Sequence, residues 1–465
     1  MNTAYTDFSS LVRSFENNPA PALIYERDGA PESLSYHELY ERIRACREFT
    51  PGDVRILVTV PSPDTIVRIM AAVCSGCDLI LCDEKVPGEI TALLKERILQ
   101  AGKGDTPRKE GRLYFFTSGT SQRSRSVVLT TRALLLSTAG GQAMLPCSSE
   151  DRILCILPLS HVFGFVCGML WGFYGGAQVA VGRGVRHLMD DCRFFKPTIL
   201  PCVPTIVQAL LRFDMLNPEL KTVLIGAAPC PASTVKMMQD KGLAVYLGYG
   251  LTETASGLAI SQDQENPSAL YACPGAKLRI EPDGEISVVT EALMEGYFGE
   301  PDPTVTEPDP EHPGKTVRRF FTGDLGSIDQ EGRLTITGRK KDILVLPDGT
   351  KVFCPEYEEE LSELLGTPEL AIVQKGGRPV LIIENSVEAD VVLLAVTNFN
   401  RERARGLQIA EVIYTNEALP RTAVGKLKRW QLQQWLDDGA PSRRKRDTFY
   451  SSTGEHDQML REHWI

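Results

Sequence analysis

The sequence predicts an α/β protein: a large N-terminal region of mixed α/β layers with a β-rich part, then a small α+β C-terminal unit. Three observations carry that prediction. Short β-branched runs alternate with helix-like runs through the first half of the chain. After about Asn266 the texture changes to short strands separated by Asp-Gly and Glu-Gly turns. Beyond Gly338 a compact set of helix and strand patterns closes the ordered part.

In the first half, residues 55–60 (RILVTV) read as a strand, 66–73 as a helix and 79–82 as a second short strand. The same rhythm returns at 198–202, 206–213, 222–225 and 244–247. Strand-then-helix repetition implies mostly parallel sheets covered by helices. Residues 162–182 contain no charged side chain and are long enough to cross a bilayer. Gly164, Gly168, Gly172, Gly175 and Gly176 interrupt them, so they are read as a buried helix, a turn at Gly175-Gly176 and a strand over 177–181, with no membrane span.

In the second half, 278–280, 285–289 and 334–337 read as strands, with turns at Asp283-Gly284 and Glu331-Gly332, the mark of antiparallel structure. The proline- and acid-rich stretch 300–314 is expected to be an exposed, mobile loop. Farther on, 356–365 reads as a Glu-rich helix, and 370–374, 380–384 and 410–414 as strands. The polar tail from Gly439, with its basic run 442–446 (SRRKR), is expected to be disordered.

Composition bounds the function. The chain has 465 residues, 43% hydrophobic and 24% charged, and a net charge of -10, an ordinary globular balance. An acidic chain of this kind argues against nucleic acid as the main partner, because phosphate backbones need a basic face. Residues 1–10 show no basic stretch leading into an apolar run, so no secretory signal is expected. The 12 cysteines are irregularly spaced and are expected to be reduced in a cytoplasmic protein. Cys74 and Cys77 form a CxxC with Cys82 near it, but a second ligand pair for zinc is not evident.

Four segments carry chemistry. In 114–128 (YFFTSGTSQRSRSVV) an aromatic strand runs into Thr117, Ser118, Gly119, Thr120 and Ser121, and then Arg123 and Arg125. Small hydroxyl residues and glycine offer backbone and side-chain donors to a polyphosphate, and arginine suits a departing pyrophosphate; an ordinary loop has the same composition. In 246–256 (YLGYGLTETAS), Tyr249 offers a flat face for a purine beside Gly250, the Thr252 hydroxyl a phosphate contact, and the Glu253 carboxylate a site for Mg²⁺. The other reading makes Thr252 a helix cap. In 320–325 (FFTGDL) and 338–342 (GRKKD), Asp324 is suited to two ribose hydroxyls and Arg339 to the same ribose or a phosphate, against a plain turn and a solvated basic face. In 420–429 (PRTAVGKLKR), Lys426 follows Gly425, where a cation on a mobile loop would stabilise charge at a reacting carboxylate, against an ordinary surface lysine.

In this order and at these separations, the four segments resemble the adenylate-forming superfamily of acyl-CoA synthetases, adenylation domains and luciferases. The resemblance runs from about Pro21 to Trp430. It extends to 22–39 as the entry segment, 157–165 (LPLSHVFGF) as the acyl-site motif, Gly226-Ala227-Ala228-Pro229 as the adenine-side loop, and 291–297 (EALMEGY).

The resemblance implies an N-terminal domain over 1–338, a mobile C-terminal domain over 339–436 hinged near Lys341, and a polar tail over 437–465. It implies ATP, Mg²⁺ and coenzyme A, or a phosphopantetheine, as cofactors and a small carboxylic acid as substrate. It assigns Lys426 to the carboxylate and α-phosphate, Glu253 to Mg²⁺, Thr252 to the α-phosphate, and Thr117 to Ser121 with Arg125 to the outer phosphates. Tyr249 and Gly250, with Gly226, Ala227 and Ala228, fall to the adenine, Asp324 and Arg339 to the ribose, and His161 to the acyl pocket. The phosphate loop departs from the family pattern TSGTTGxPKG: here it reads TSGTSQRSRS, with Arg125 in place of the lysine. The leading expectation is an acid-thiol ligase. A carrier-loading enzyme and a non-catalytic nucleotide- or acyl-binding relative are the alternatives. An α/β hydrolase is disfavoured, because no G-x-S-x-G elbow appears.

Overall fold

A computed structural model describes residues 4–84, 88–102, 108–117, 125–213, 216–421 and 427–438, and the backbone of 446–448. The chain divides into two compact units. Of the described residues, the first holds those up to Thr322 and Gly326–Ile336; the second holds Gly323–Leu325 and those from Thr337 on.

The large unit is built on two sheets. In the first, the strands Arg152–Cys155, Gln178–Val181, Ile199–Cys202, Thr222–Ile225 and Ala244–Tyr249 run parallel to their neighbours. Two of them, Gln178–Val181 and Ile199–Cys202, are buried at every residue, as strands covered on both faces by helices must be. Beyond Ala244–Tyr249 the same sheet turns antiparallel through Ala259–Ser261 and Leu270–Ala272, then continues through Leu334–Arg339, Thr316–Ile328 and Glu285–Thr290 to Ala276–Ile280. The second sheet places Val54–Val58, Asp78–Cys82 and Leu113–Phe116 in parallel, with Ser126–Leu129 antiparallel to the last.

Local chemistry explains the elements. The helix Pro63–Cys74 starts where the Ser62 hydroxyl accepts the Thr65 N–H and proline fills the first turn. Its Ile66, Ile69, Met70 and Val73 are fully buried at helical spacing. The charge-free stretch 162–182 is a buried helical run with a π-turn over Val166–Leu170, ending at Gly176 before the strand Gln178–Val181. Among the described residues no helix is long and apolar enough to cross a membrane.

Two expectations need correction. The acidic stretch 300–314 is exposed but not structureless: Val305–Pro308 pairs antiparallel with Thr316–Arg319 at the edge of the sheet. Its acids are held by that neighbour, Asp302 by Arg318 and Glu307 by Arg319, and Pro308 ends the strand, where its missing N–H costs no ladder bond. In the polar tail, Arg446–Thr448 adds an edge strand against Glu411–Ile413. The rest of the tail lies outside the described residues.

The small unit is a four-stranded sheet ordered Leu370–Lys375, Arg378–Glu384, Glu411–Thr415 and Arg446–Thr448. Side-chain alternation sends Leu370, Ile372, Leu381 and Ile383 into one core with the helices Cys354–Leu365 and Ala389–Arg401. Ala371, Val373, Val380 and Ile382 enter a second core with the helix Arg429–Asp437. The strands 370–374, 380–384 and 410–414 and the helix 356–365 are thus found within a residue or two of their expected bounds.

Candidate functional site

The strand Leu113–Phe116 ends in the expected phosphate loop. Its two ends are pinned together: the Thr117 N–H donates to the Arg125 carbonyl at 2.9 Å, while Phe116 pairs with Ser126. Ser118, Gly119, Thr120 and Ser121 lie outside the described residues. Arg125 is half-exposed, pairs with Glu300 at 3.2 Å and lies 4.7 Å from the centre of the Tyr297 ring. Next to it, the Ser126 hydroxyl is buried and has no hydrogen-bond partner among the described residues.

The strand Ala244–Tyr249 ends at a tight reversal. A Cβ on Gly250 would fall 1.4 Å from the Ser256 carbonyl oxygen, so only glycine lets the chain fold back this closely. Ala255 (φ 52°) and Ser256 (φ 98°) are left-handed, as is Ala227 (φ 68°) in the 226–229 segment. Non-glycine residues held this way cost about 1–3 kcal/mol each, and such strain collects at functional sites. Three of the five described non-glycine residues with positive φ therefore lie in segments the sequence marked for chemistry.

Between them, Thr252–Thr254 forms one 3₁₀ turn. Thr252 is not its cap, a correction to the capping alternative: Leu251 stands at the cap and donates its N–H to the Thr254 hydroxyl at 3.1 Å. With a single turn to close, the buried third residue does the capping. Thr252 is half-buried, and Tyr249 is 9% exposed within the large core.

Glu253 is half-buried, and its Oε1 accepts the Tyr297 hydroxyl proton at 2.7 Å. Burial pushes the Tyr297 phenol well above its usual range and Glu253 adds to the rise, so Tyr297 keeps its proton and is the donor. No described residue donates to Oε2. Sequence reasoning did not name Tyr297 as a site residue; the signal was its place at the end of the EALMEGY segment.

The segments 157–165 and 226–229 meet at one contact. A Cβ on Gly226 would come within 3.0–3.3 Å of the Phe163 ring. His161 precedes the helix Val162–Phe165, and its carbonyl accepts the Phe165 N–H at 2.9 Å. Ala228 is half-buried beside Ala227. Ser160, also not singled out from sequence, is 4% exposed and its hydroxyl has no partner among the described residues.

In the small unit, Asp324 and Arg339 come together: Arg339 Nε lies 2.9 Å from Asp324 Oδ1, with the aspartate side chain 6% exposed. Lys426 lies outside the described residues. The base of its segment is closed by the Lys428 N–H donating to the Pro420 carbonyl at 2.7 Å and by a bridge between Arg421 and Leu427. Arg429 then anchors that base, with Asp342 at 3.1 Å, Glu358 at 3.1 Å and the Ile372 carbonyl at 2.6 Å.

In the large unit, Glu253 fits a magnesium ion that a nucleotide also holds. Mg²⁺ is held by one or two carboxylates plus substrate phosphates, and Glu253 offers one carboxylate with an open oxygen. Among the described residues no cluster of three or more His, Cys, Asp or Glu forms a metal cage. The cysteines are free, and burial raises Cys74 and Cys77 to about 12, so the CxxC is a pair of inert apolar side chains.

The family model for AMP-binding enzymes matches residues 105–298. A methyl-dioxo-octahydroindenyl-propanoyl:CoA ligase of Mycobacterium tuberculosis is 30% identical over 340 residues, 69% of this chain and 65% of that ligase. The matched stretch spans 64% of its Rhodococcus jostii counterpart. A 2-succinylbenzoate–CoA ligase of Listeria monocytogenes is 27% identical over 69% of each chain. Among solved structures, the fold is that of the AMP complex of O-succinylbenzoate coenzyme A synthetase from Bacillus subtilis, with a TM-score of 0.74 at 20% identity over 92% of this chain and 98% of that one. ATP-bound MatB from Rhodopseudomonas palustris gives 0.76 at 21% identity over 93% and 99%. Residues 105–298 therefore match the model of AMP-binding enzymes, the chain is similar in sequence to CoA ligases, and its fold is that of O-succinylbenzoate coenzyme A synthetase and MatB.

Proposed function

We propose that this protein activates a small carboxylic acid with ATP as an acyl-adenylate and then transfers the acyl group to the thiol of coenzyme A. The observation that carries the reading is Glu253, held by a neutral donor at one oxygen and open at the other, on a strained turn of the large unit. The relatives, named as CoA ligases, support the same chemistry.

A carboxylate is a poor electrophile. In the first step its oxygen attacks the α-phosphorus of ATP and pyrophosphate leaves. In the second a thiol attacks the acyl carbon and AMP leaves. Mg²⁺ held by Glu253 would neutralise charge on the phosphate oxygens. Residues 117–121 and Arg125 bind the outer phosphates and steady the departing pyrophosphate, and Thr252 contacts the α-phosphate. Tyr249, Gly250 and the 226–228 segment take the adenine, and His161 borders the acyl group. The Asp324 carboxylate accepts ribose hydroxyls, oriented by its Arg339 partner. Lys426 stabilises negative charge at the reacting carboxylate and α-phosphate. The C-terminal domain is proposed to be mobile about Lys341. Twelve unpaired thiols suit a reducing compartment, the cytoplasm.

Pyrophosphate release with ATP, Mg²⁺ and a panel of carboxylic acids tests the reading. Acid-dependent release, with acyl-CoA accumulating when coenzyme A is added, is the expected result. Acid-dependent release that coenzyme A leaves unchanged would point to a carrier-protein acceptor. No release with any acid, together with no ATP binding, would overturn the enzyme assignment.

A further inference from the structure

We propose that Tyr297 is a positioning residue for the metal-binding carboxylate: its hydroxyl fixes Glu253 Oε1 so that Oε2 is kept for the cation, while its ring carries Arg125 at the end of the phosphate loop. The proposal rests on the reading of Glu253 given above.

Three features lead to it. First, Glu253 has no charged partner among the described residues; its only side-chain donor is Tyr297. An arginine there would take both carboxylate oxygens and cancel the charge. A phenol takes one oxygen and leaves the full negative charge, which is what a hard cation requires. Second, Tyr297 is itself held by its surroundings. Gly296–Tyr297 pairs with Val127 and Val128 of the strand that leaves the phosphate loop, and the side chain is 8% exposed. The Met294 N–H donates to the Glu253 carbonyl at 2.8 Å, so the segment that carries Tyr297 also ties down the backbone of Glu253. Third, the far face of the function is on the same ring: Arg125 sits 4.7 Å from its centre and is restrained by Glu300. One side chain thus touches both the carboxylate assigned to the cation and the arginine assigned to the phosphates. Partners of this kind orient a metal ligand without touching the metal.

The test uses the full-length protein, with Mn²⁺ as a paramagnetic probe titrated in the presence of ATP, and AMP binding without metal as the control. Tyr297→Phe keeps the ring under Arg125 and removes only the hydroxyl. It should weaken Mn²⁺ binding to the ATP complex by about tenfold, the lower end for loss of a partner behind a metal ligand, and leave AMP binding within about twofold. In a Glu253→Gln background the same change should add less than about twofold, since Tyr297 acts through Glu253. Unchanged Mn²⁺ affinity, an equal loss for AMP, or full additivity with Glu253→Gln would each overturn the proposal while leaving the function standing. If the wild-type protein binds AMP but gains no Mn²⁺ site with ATP, the assignment of Glu253 itself falls, and this proposal with it.

Discussion

Glu253 in the large unit and Arg429 in the small unit are both charges drawn out of water, and they are held in opposite ways. Arg429 is saturated: two carboxylates, Asp342 and Glu358, and the Ile372 carbonyl surround its guanidinium. Glu253 has one neutral donor and an unused oxygen, on a turn followed by two left-handed residues. A saturated ion network fixes chain segments to one another. A carboxylate left short of partners beside strained backbone has unspent binding capacity, and that is how a ligand site differs from a structural one. The difference can be broken or sharpened by substitution.

The largest effect is expected at Arg429. Removing one partner of a buried ion network leaves the others uncompensated, so Arg429→Met should cost about 3–5 kcal/mol of stability in urea titration, with both half-reactions lost together. Arg429→Lys should recover little, because a single ammonium cannot reproduce contacts to Asp342, Glu358 and Ile372 at once. Full stability with loss of adenylation alone would erase the contrast and place Arg429 in the chemistry.

Lys426 lies three residues before Arg429 and provides the opposite control. Lys426→Ala should lower acid-dependent pyrophosphate release by about 10²–10³-fold, the usual loss when a group aimed at developing charge is removed. The urea midpoint should not move, and transfer to coenzyme A from a supplied acyl-adenylate should survive. Equal loss of both steps would contradict its role.

A smaller effect is expected at Gly226. A Cβ there would press on the Phe163 ring at 3.0–3.3 Å, and the ring must yield by a few tenths of an ångström. Gly226→Ala should cost about 1 kcal/mol of stability, at the low end for overpacking. It should also change the preference among acids in the release assay, because Phe163 belongs to the segment assigned to the acyl pocket. An unchanged preference would separate that contact from specificity.

Which parts of this were legible in the sequence follows from range. Leu370–Lys375 and Arg378–Glu384 were readable because both faces of the sheet are buried and the apolar runs are continuous. The helix Cys354–Leu365 was readable from its glutamate-rich run over 356–365; its first turn at Cys354 and Pro355 fell outside the expected bounds. Val305–Pro308 was not, since prolines and acids suit a loop until Arg318 and Arg319 arrive on the next strand. Asp324 and Arg339 were both marked from sequence, but their 2.9 Å contact depends on where two strands lie. The pairing of Glu253 with Tyr297 spans 44 residues and depends on the short strand beside Val127, which no local pattern announces. Motif order marked the candidate residues; the partners that hold them belong to the fold.

The finest division of the comparison concerns Arg125, which stands where the family pattern has lysine. Its planar guanidinium does two things here that an ammonium does poorly: it lies 4.7 Å from the Tyr297 ring centre, and it keeps a 3.2 Å contact with Glu300. Arg125 and Glu300 are both half-exposed, so each contact is weak. A cation over a ring contributes about 0.5–1 kcal/mol at such sites, and an exposed ion pair about 0.2–1 kcal/mol. Arg125→Lys retains the charge for the phosphates and loosens both restraints. Its KM for ATP should therefore rise only about two- to fivefold, the range such energies convert to, with kcat nearly unchanged. Stability should stay within about 0.5 kcal/mol, as for a surface substitution. A fall in KM would mean that Glu300 restrains the arginine away from the nucleotide, so that the ion pair opposes binding. A large fall in kcat would mean that the guanidinium contacts the departing pyrophosphate in the transition state, and that its geometry, beyond its charge, belongs to the reaction.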